Sequence, residues 1–339
     1  MKSLSRQFLG VKTLDAFYEL LNLNPIEIPK ILGSKQYTTF KSRKKSGGFR
    51  IIENPNRALK SLQSELNDFL QCVYFFFLPK ASHGFVASPD NDGSRRRNIV
   101  SNARIHLGSE YLLNLDLLDF FHKVTQKKVE NIFKAKPFSM SSDLVTLLTD
   151  IVCYNGRLPM GSPASPVISN FAMIDLDEKL QAFSESKKWY YSRFVDDLSF
   201  SSHKPIVKED IIELEKLILL FEFPLNKSKI KIFGPEDKKC VTSIVLKDTE
   251  LAIDDEYLLH LRTEIEHFRQ MNLMSSYFES KAPDYMDKYK SSISGRIQFV
   301  KMVLGDKHKD HKQLHQLWKR ANLIKLNDYG ALAWLDFDY

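Results

Sequence analysis

Three carboxylates raise the question of chemistry in this 339-residue chain. Asp116 closes an apolar run, "YLLNLD". Asp196 and Asp197 stand side by side in "WYYSRFVDDLSFSS", between aromatic and apolar residues. Adjacent carboxylates repel one another, and partial burial makes the repulsion costlier. Singly, an Asp at a strand end is more often a cap or turn residue, and an Asp-Asp pair at a hairpin tip is more often a solvated turn. Together, the three can meet at the edge of one sheet, where they cannot all stay ionised without a cation. Mg²⁺ suits such a place, because it is a hard, oxygen-seeking ion that keeps several waters and prefers phosphate co-ligands. Two such ions, typically ~3.5–4 Å apart, clamp the attacking and leaving oxygens of a phosphoryl displacement. The chemistry to look for is therefore metal-assisted phosphoryl transfer.

The stretch "LPMGSPASPVISN", from Leu158 to Asn170, is the second unusual feature. Its prolines and glycine stiffen a loop ahead of a helix, and its small residues let something flat approach the backbone. It reads either as a tight helix start or as a platform for a base pair or template strand.

The surrounding pattern mixes strands and helices. Residues 13–33 read as short helices interrupted by Pro25 and Pro29. "YTTFKSRKKSGGFRIIENP" reads as a β-hairpin, with a helix after it from Leu59 to about Tyr74. "EYLLNLDLLDFF" begins as a buried strand and turns helical, and Ser162 to Lys179 has helical spacing. "WYYSRF" and "LSFSS" are strand-like on either side of the Asp pair. "IVKEDIIELEKLILLFEF" is an amphipathic helix and "KIKIF" a short strand; beyond Asp254 the pattern is helical to about Leu326. The fold class is α+β with a helical C-terminal unit.

Composition permits a large core, at 43% hydrophobic and 12% aromatic residues, and excludes a disordered chain. The 49 Lys+Arg against 42 Asp+Glu give a formal charge of +7. From Lys35 to Lys60 there are eight basic residues and one acid, and from Lys281 to Lys325 eleven basic residues and four acids. These segments are either solvated faces or two grips on a polyanion with the carboxylates between them. Cys72, Cys153 and Cys240 form no CxxC pair, which argues against a disulfide framework or a zinc site. With no signal-type leader and no membrane-length apolar run, a cytoplasmic location is expected.

In this order and at these intervals, "LNLDLLDFF", "LPMGSPASPVISN", "FVDDL" and "FPLNKSKIKIF" resemble the successive palm motifs of reverse transcriptases. "KKSGGFRIIENPNRALKSLQ" and "SHGFV" are similar to their fingers, and the resemblance spans roughly residues 35–325. "NARIH", "CVTSIVL" and "SGRIQFVKMVLG" narrow it to bacterial retron enzymes. The resemblance implies a right-hand polymerase: fingers at 1–107, interleaved with the palm, a palm with the catalytic motifs at 108–245, and a helical thumb and tail at 246–339. It makes Asp116, Asp196 and Asp197 catalytic ligands of two Mg²⁺ ions, with the Leu117 carbonyl as a further ligand. Lys45 (or Lys44) and Arg50 would grip the triphosphate, Phe121 would exclude the ribose 2′-hydroxyl, Gly161 would let the backbone approach template or nucleotide, and Lys229 would support the incoming phosphate. Without the resemblance these are an exposed basic turn, a core aromatic beside Phe120 and a solvated lysine. Asn102, His106, Val241, Thr242 and Arg296 fall to RNA binding.

Three positions depart from the pattern. Phe194 stands for the usual Tyr, Met160 for a common Gln, and Ser243 for the Gly of Val-Thr-Gly. None touches the carboxylates, so the active site is read as intact.

The implied reaction is RNA-templated DNA synthesis from dNTPs. The template would be a dedicated structured non-coding RNA and the product a single-stranded DNA primed from, and joined to, an RNA 2′-hydroxyl (msDNA). The chain leaves no room after the thumb for an RNase H or endonuclease domain, so template removal is expected of a host RNase H. A separate effector protein in antiphage defence is the expected setting. The rivals are a defence-associated or diversity-generating reverse transcriptase and a catalytically silent RNA-binding scaffold. Bound RNA and priming discriminate the first, and dNTP incorporation discriminates the second.

Overall fold

The computed structural model describes residues 2–33, 37–43, 47–87, 96–277 and 285–323. They divide into two compact units, Met1–Asp237 and Lys238–Tyr339.

The first unit opens with helices α1 (Lys2–Gly10), α2 (Leu14–Leu20) and α3 (Ile28–Gly33). Pro29 lies in the first turn of α3 instead of interrupting it, because a proline there lacks only an N–H that the helix does not use. Strands β1 (Tyr37–Arg43) and β2 (Phe49–Pro55) form the expected hairpin, with Gly47 and Gly48 at φ 87° and 76°. Helix α4 (Arg57–Tyr74) starts where the Asn56 side chain accepts the Leu59 N–H at 3.0 Å. It buries Leu59, Leu62, Leu66, Leu70 and Val73, spaced three or four apart.

After α5 (Ile99–Arg104) comes the central strand β3 (Tyr111–Asp116), then α6 (Phe120–Lys123), α7 (Gln126–Lys134) and α8 (Ser142–Val152). The helical stretch expected over Ser162–Lys179 is two helices, α9 (Ser165–Ala172) and α10 (Ile174–Lys187), broken at Met173. Strands β4 (Tyr190–Phe194) and β5 (Asp197–Ser202), helix α11 (Lys208–Leu220) and strand β6 (Lys231–Phe233) complete the unit. Strands β3, β4, β5 and β6 form one antiparallel sheet in the order β4-β5-β3-β6. Leu113, Leu115, Leu198, Phe200 and Tyr191 of this sheet join the apolar cluster of α4, α8, α9 and α10. Burial of that cluster, at about 25 cal/mol per Å², fixes the sheet against its helices.

The second unit holds a small sheet, β7 (Cys240–Val241), β8 (Ile244–Leu246) and β9 (Leu251–Ala252), followed by α12 (Asp255–Tyr277), α13 (Tyr285–Leu304) and α14 (Lys309–Asn322). Leu258, Leu261, Ile265, Phe268, Ile293, Ile297, Val300 and Leu314 are buried, and the Phe268 ring lies 5.0 Å from that of Trp318. Between the paired Val241 and Ile244, Thr242 and Ser243 make a two-residue turn with φ 47° and 66°. Both values are left-handed, so Ser243 carries a cost of roughly 1 kcal/mol that a glycine would avoid. Among the described residues no helix is long and apolar enough to cross a membrane.

Candidate active site

Strand register gathers the carboxylates. Asp116 ends β3 directly opposite Asp197, the first residue of β5, and Asp197 in turn pairs with Phe194 of β4. Val195 and Asp196 are therefore the two turn residues between β4 and β5. The Leu117 N–H donates to the Asp196 carbonyl at 3.0 Å, tying the turn to the end of β3. Beyond Asp116 the chain runs beside residues 224–226: the Leu118 N–H donates to the Pro224 carbonyl and the Asn226 N–H to the Asp116 carbonyl, both at 2.8 Å. This brings Lys229 into place. Its ammonium donates to Asp116 Oδ1 at 2.6 Å, and Asn226 Nδ2 donates to Oδ2 at 3.3 Å.

The electrostatics are those of crowded anions. Desolvation, followed by the charges of Asp196 and Asp116, pushes Asp197 up to about 7, against the opposing pull of Lys229 and Lys231. Asp196 is also raised, by desolvation and by Asp116, with Lys229 and Arg50 opposing. The hydrogen bond to Asp116 raises Lys229. Arg50, exposed on β2, thus acts within the electrostatic field of the carboxylates.

As the side chains stand, no three His, Cys, Asp or Glu side chains among the described residues converge as a ligand set. The oxygens of Asp116 are engaged by Lys229 and Asn226. The donor chemistry nevertheless fits a hard divalent cation: three carboxylates, two of them held above their ordinary range by burial and mutual repulsion, with an ammonium already balancing the third.

The remaining expected residues divide into three groups. Leu117 adjoins Asp116, with its side chain buried and its N–H on Asp196. Phe121 is half-buried on α6, its ring 5.5 Å from Phe120 and 6.2 Å from Phe85. Lys45 and Lys44 lie outside the described residues.

Gly161 has a different neighbour from the one expected. At φ 148° its missing Cβ would stand 2.6 Å from the Glu53 carbonyl oxygen, so what approaches it is strand β2. Here the Glu53 N–H donates to the Met160 carbonyl at 2.8 Å, and Arg157 grips both Glu53 carboxylate oxygens at 2.8 and 2.9 Å. Burial alone would raise Glu53; the Arg157 pair lowers it. Met160 thus serves this junction through its backbone.

Three of the five residues expected at RNA, Asn102, His106 and Val241, are buried. His106 is 0% exposed and Asn102 1%, so neither side chain is presented to a nucleic acid. Both ring nitrogens of His106 are engaged at 2.7 Å, by Ser192 on β4 and Ser201 on β5. The histidine is a tie between β4 and β5, and burial pushes it down to about 3, keeping it neutral. The Asn102 amide has no hydrogen-bond partner among the described residues. Val241 is fully buried, and Thr242 holds the left-handed turn with its hydroxyl unpartnered among the described residues. Arg296 pairs with Glu264 and lies 5.0 Å over the Tyr257 ring. Thr242 and Arg296, by contrast, are part-exposed.

Sequence reasoning missed Arg193, three residues before Asp196. It is fully buried and paired with an equally buried Asp177 at 2.7 Å. It also missed the Glu53–Arg157 junction and the reason for Gly84 in "SHGFV". A Cβ on Gly84 would stand 2.7 Å from both Val195 N and Val195 Cγ2. The one available signal was an arginine inside the strand-like run "YYSRF".

The reverse transcriptase (RNA-dependent DNA polymerase) family matches residues 42–274. The retron Ec86 reverse transcriptase of Escherichia coli is 33% identical over 226 residues, which are 64% of this chain and 65% of that protein. The chain therefore spans just under two thirds of that relative's length. The retron Ec83 reverse transcriptase of Escherichia coli is 28% identical over 250 residues, 70% of this chain and 77% of that one. Among solved structures, a telomerase from Candida albicans in complex with a fragment of telomeric RNA aligns with TM-score 0.45 and 10% identity, over 91% of this chain and 68% of that one.

Proposed function

Since the chain belongs to the reverse transcriptase family, we propose that it is a retron-type RNA-directed DNA polymerase, copying a structured non-coding RNA into single-stranded DNA. The observation that carries this reading is the placement of Asp116 opposite Asp197, with Asp196 in the adjoining turn and Lys229 on Asp116.

In this reading Asp116, Asp196, Asp197 and the Leu117 carbonyl would hold two Mg²⁺ ions. When bound, these supply the positive charge that activates the primer hydroxyl and steadies the leaving pyrophosphate. The chain's own residues do the positioning. The β3–β5 register holds the carboxylates at the sheet edge where the primer hydroxyl meets the α-phosphate of a dNTP. Arg50, with Lys45, takes the triphosphate from the fingers side, and Lys229 leaves Asp116 for the phosphate. Phe121, backed by Phe120 and Phe85, stands where a ribose 2′-hydroxyl would enter. Catalysis then consists of alignment and electrostatics. Synthesis would start from a 2′-hydroxyl of the RNA, with host RNase H trimming the template and a separate effector protein acting in antiphage defence.

The test is the nucleic acid that copurifies with the protein. We expect a structured RNA joined through a 2′–5′ branch to single-stranded DNA, a linkage that survives denaturation and RNase and yields a free 5′ end on debranching. Asp196→Asn with Asp197→Asn should bring down the RNA without the DNA. Linear, 3′-primed or protein-primed DNA would reject the retron reading, and DNA on the double variant would reject the site.

A further inference from the structure

We propose that Arg193 is a positioning residue whose guanidinium, locked by Asp177, holds the strained Val195–Asp196 turn and so keeps Asp197 opposite Asp116 with Asp196 in the adjoining turn. The inference rests on the reading of those carboxylates as the metal-binding set.

The turn needs something to hold it. Val195 has φ 63°, while Asp196 is not left-handed. Positive φ confined to the first central residue of a two-residue hairpin is a glycine position, and a β-branched side chain there is a marked outlier. Nor can the turn relax outward, because Gly84 crosses it at the closest approach that a residue without a Cβ allows.

Arg193 supplies the restraint. Its Nε donates to both Asp177 oxygens at 2.8 and 3.1 Å, and its Nη2 to Asp177 Oδ2 at 2.7 Å and Ser82 Oγ at 3.3 Å. Its Nη1 donates to Asn170 Oδ1 at 3.0 Å and to the Val195 carbonyl at 3.1 Å. Every N–H of the guanidinium is used, and the bond to Val195 is the one made to the turn. Asp177 is braced in turn by the Tyr191 hydroxyl at 2.8 Å. The backbone is held as well: the Arg193 N–H donates to the Ala81 carbonyl at 2.7 Å, and the His83 N–H to the Arg193 carbonyl at 2.9 Å. With the Asp196 carbonyl fixed by the Leu117 N–H, the turn is pinned at both of its residues.

Stability alone does not explain the pair, since buried ion pairs can usually be replaced by apolar residues of similar volume at little loss. What an apolar pair cannot supply is a donor aimed at the Val195 carbonyl. A lysine cannot supply the planar fork that reaches Asp177, Asn170 and Val195 together.

The experiment compares the full-length wild type with Arg193→Lys and with Arg193→Met Asp177→Leu, in which the charged pair is replaced by apolar side chains. Thermal unfolding, Mn²⁺ affinity by electron paramagnetic resonance, and dTTP incorporation on poly(rA)–oligo(dT) are measured for each. Where a variant melts within a few degrees of wild type, we expect Mn²⁺ binding at least threefold weaker and kcat at least tenfold lower, with template–primer affinity within twofold. A folded variant of either kind with wild-type Mn²⁺ affinity and kcat would overturn the proposal. A wild type that binds Mn²⁺ yet incorporates no dTTP would instead overturn the polymerase reading, leaving Mn²⁺ affinity to judge the clamp.

Discussion

The Lys229 ammonium lies 2.6 Å from Asp116 Oδ1, so a cation from the chain itself occupies the carboxylate that the family reading gives to a metal. The two cations compete for one anion. Replacing Lys229 by Met should therefore tighten Mn²⁺ binding in the absence of nucleotide by roughly three- to tenfold, about 1 kcal/mol, while slowing dNTP incorporation. Paramagnetic titration of the nucleotide-free enzyme reads the first effect. Weaker Mn²⁺ binding by the variant would show that Lys229 helps the metal site instead of competing with it.

Phe121 is half-buried, its ring tilted against those of Phe120 and Phe85. Phe121→Ala should admit ribonucleotides, narrowing dNTP-over-rNTP discrimination by about tenfold or more, which corresponds to roughly 1.4 kcal/mol of lost exclusion. Single-nucleotide incorporation with dTTP and UTP measures it. An active variant with unchanged discrimination would make Phe121 a core residue only.

The close approach of Glu53 to Gly161 gives two readings of that glycine different outcomes. If β2 is what requires it, Gly161→Ala should destabilise the protein by about 2 kcal/mol or more through overpacking and a left-handed backbone. Denaturant unfolding decides. An unchanged midpoint with lost activity would return Gly161 to nucleotide or template contact.

His106 makes stability depend on pH. Its folded value, about 3, lies below the ordinary 6.5, so between these values the unfolded chain binds the extra proton and stability falls as the solution is acidified. At pH 5 the loss from this residue is about 2 kcal/mol. His83, pushed down to about 3 by burial and by Arg97, acts in the same direction. His106→Gln should be less stable at pH 7 yet lose less between pH 7 and pH 5, as read by unfolding at both values. Equal losses in variant and wild type would mean that the histidine tie does not stay neutral.

The carboxylates were legible because acids at the ends of apolar strands are conspicuous, and the hairpin around Gly47 and Gly48 because its turn residues have few other uses. Partners far away in the chain were not legible. Nothing near Gly161 announces Glu53, and nothing near Asp177 announces Arg193, because both contacts are made only once the palm sheet and its helices have packed. The "NARIH" motif was visible, but its role was not: a polar pair in a short motif suggests a ligand until burial shows the histidine bonding two strands of the same sheet. The sheet β7–β9 escaped notice because its strands are only two or three residues long, and helices α7 and α8 were not read from the sequence.

The Glu53–Arg157 junction also fixes where the fingers hairpin can bend. Glu53 is anchored by its own N–H and by both carboxylate oxygens, whereas Phe49, Arg50 and Ile51 beyond it are exposed. The hairpin is thus a blade set in a socket, with a free length from Glu53 to Phe49 of roughly 13 Å at the strand rise of about 3.3 Å per residue. Any swing of the blade must pivot just outside the socket, between Ile52 and Ile51. An angular change of a few degrees there would carry the Arg50 backbone by only a few tenths of an ångström, on a lever of about 5 Å. If Arg50 holds a triphosphate as proposed, its grip would be adjusted finely beyond the socket while Glu53 stays still.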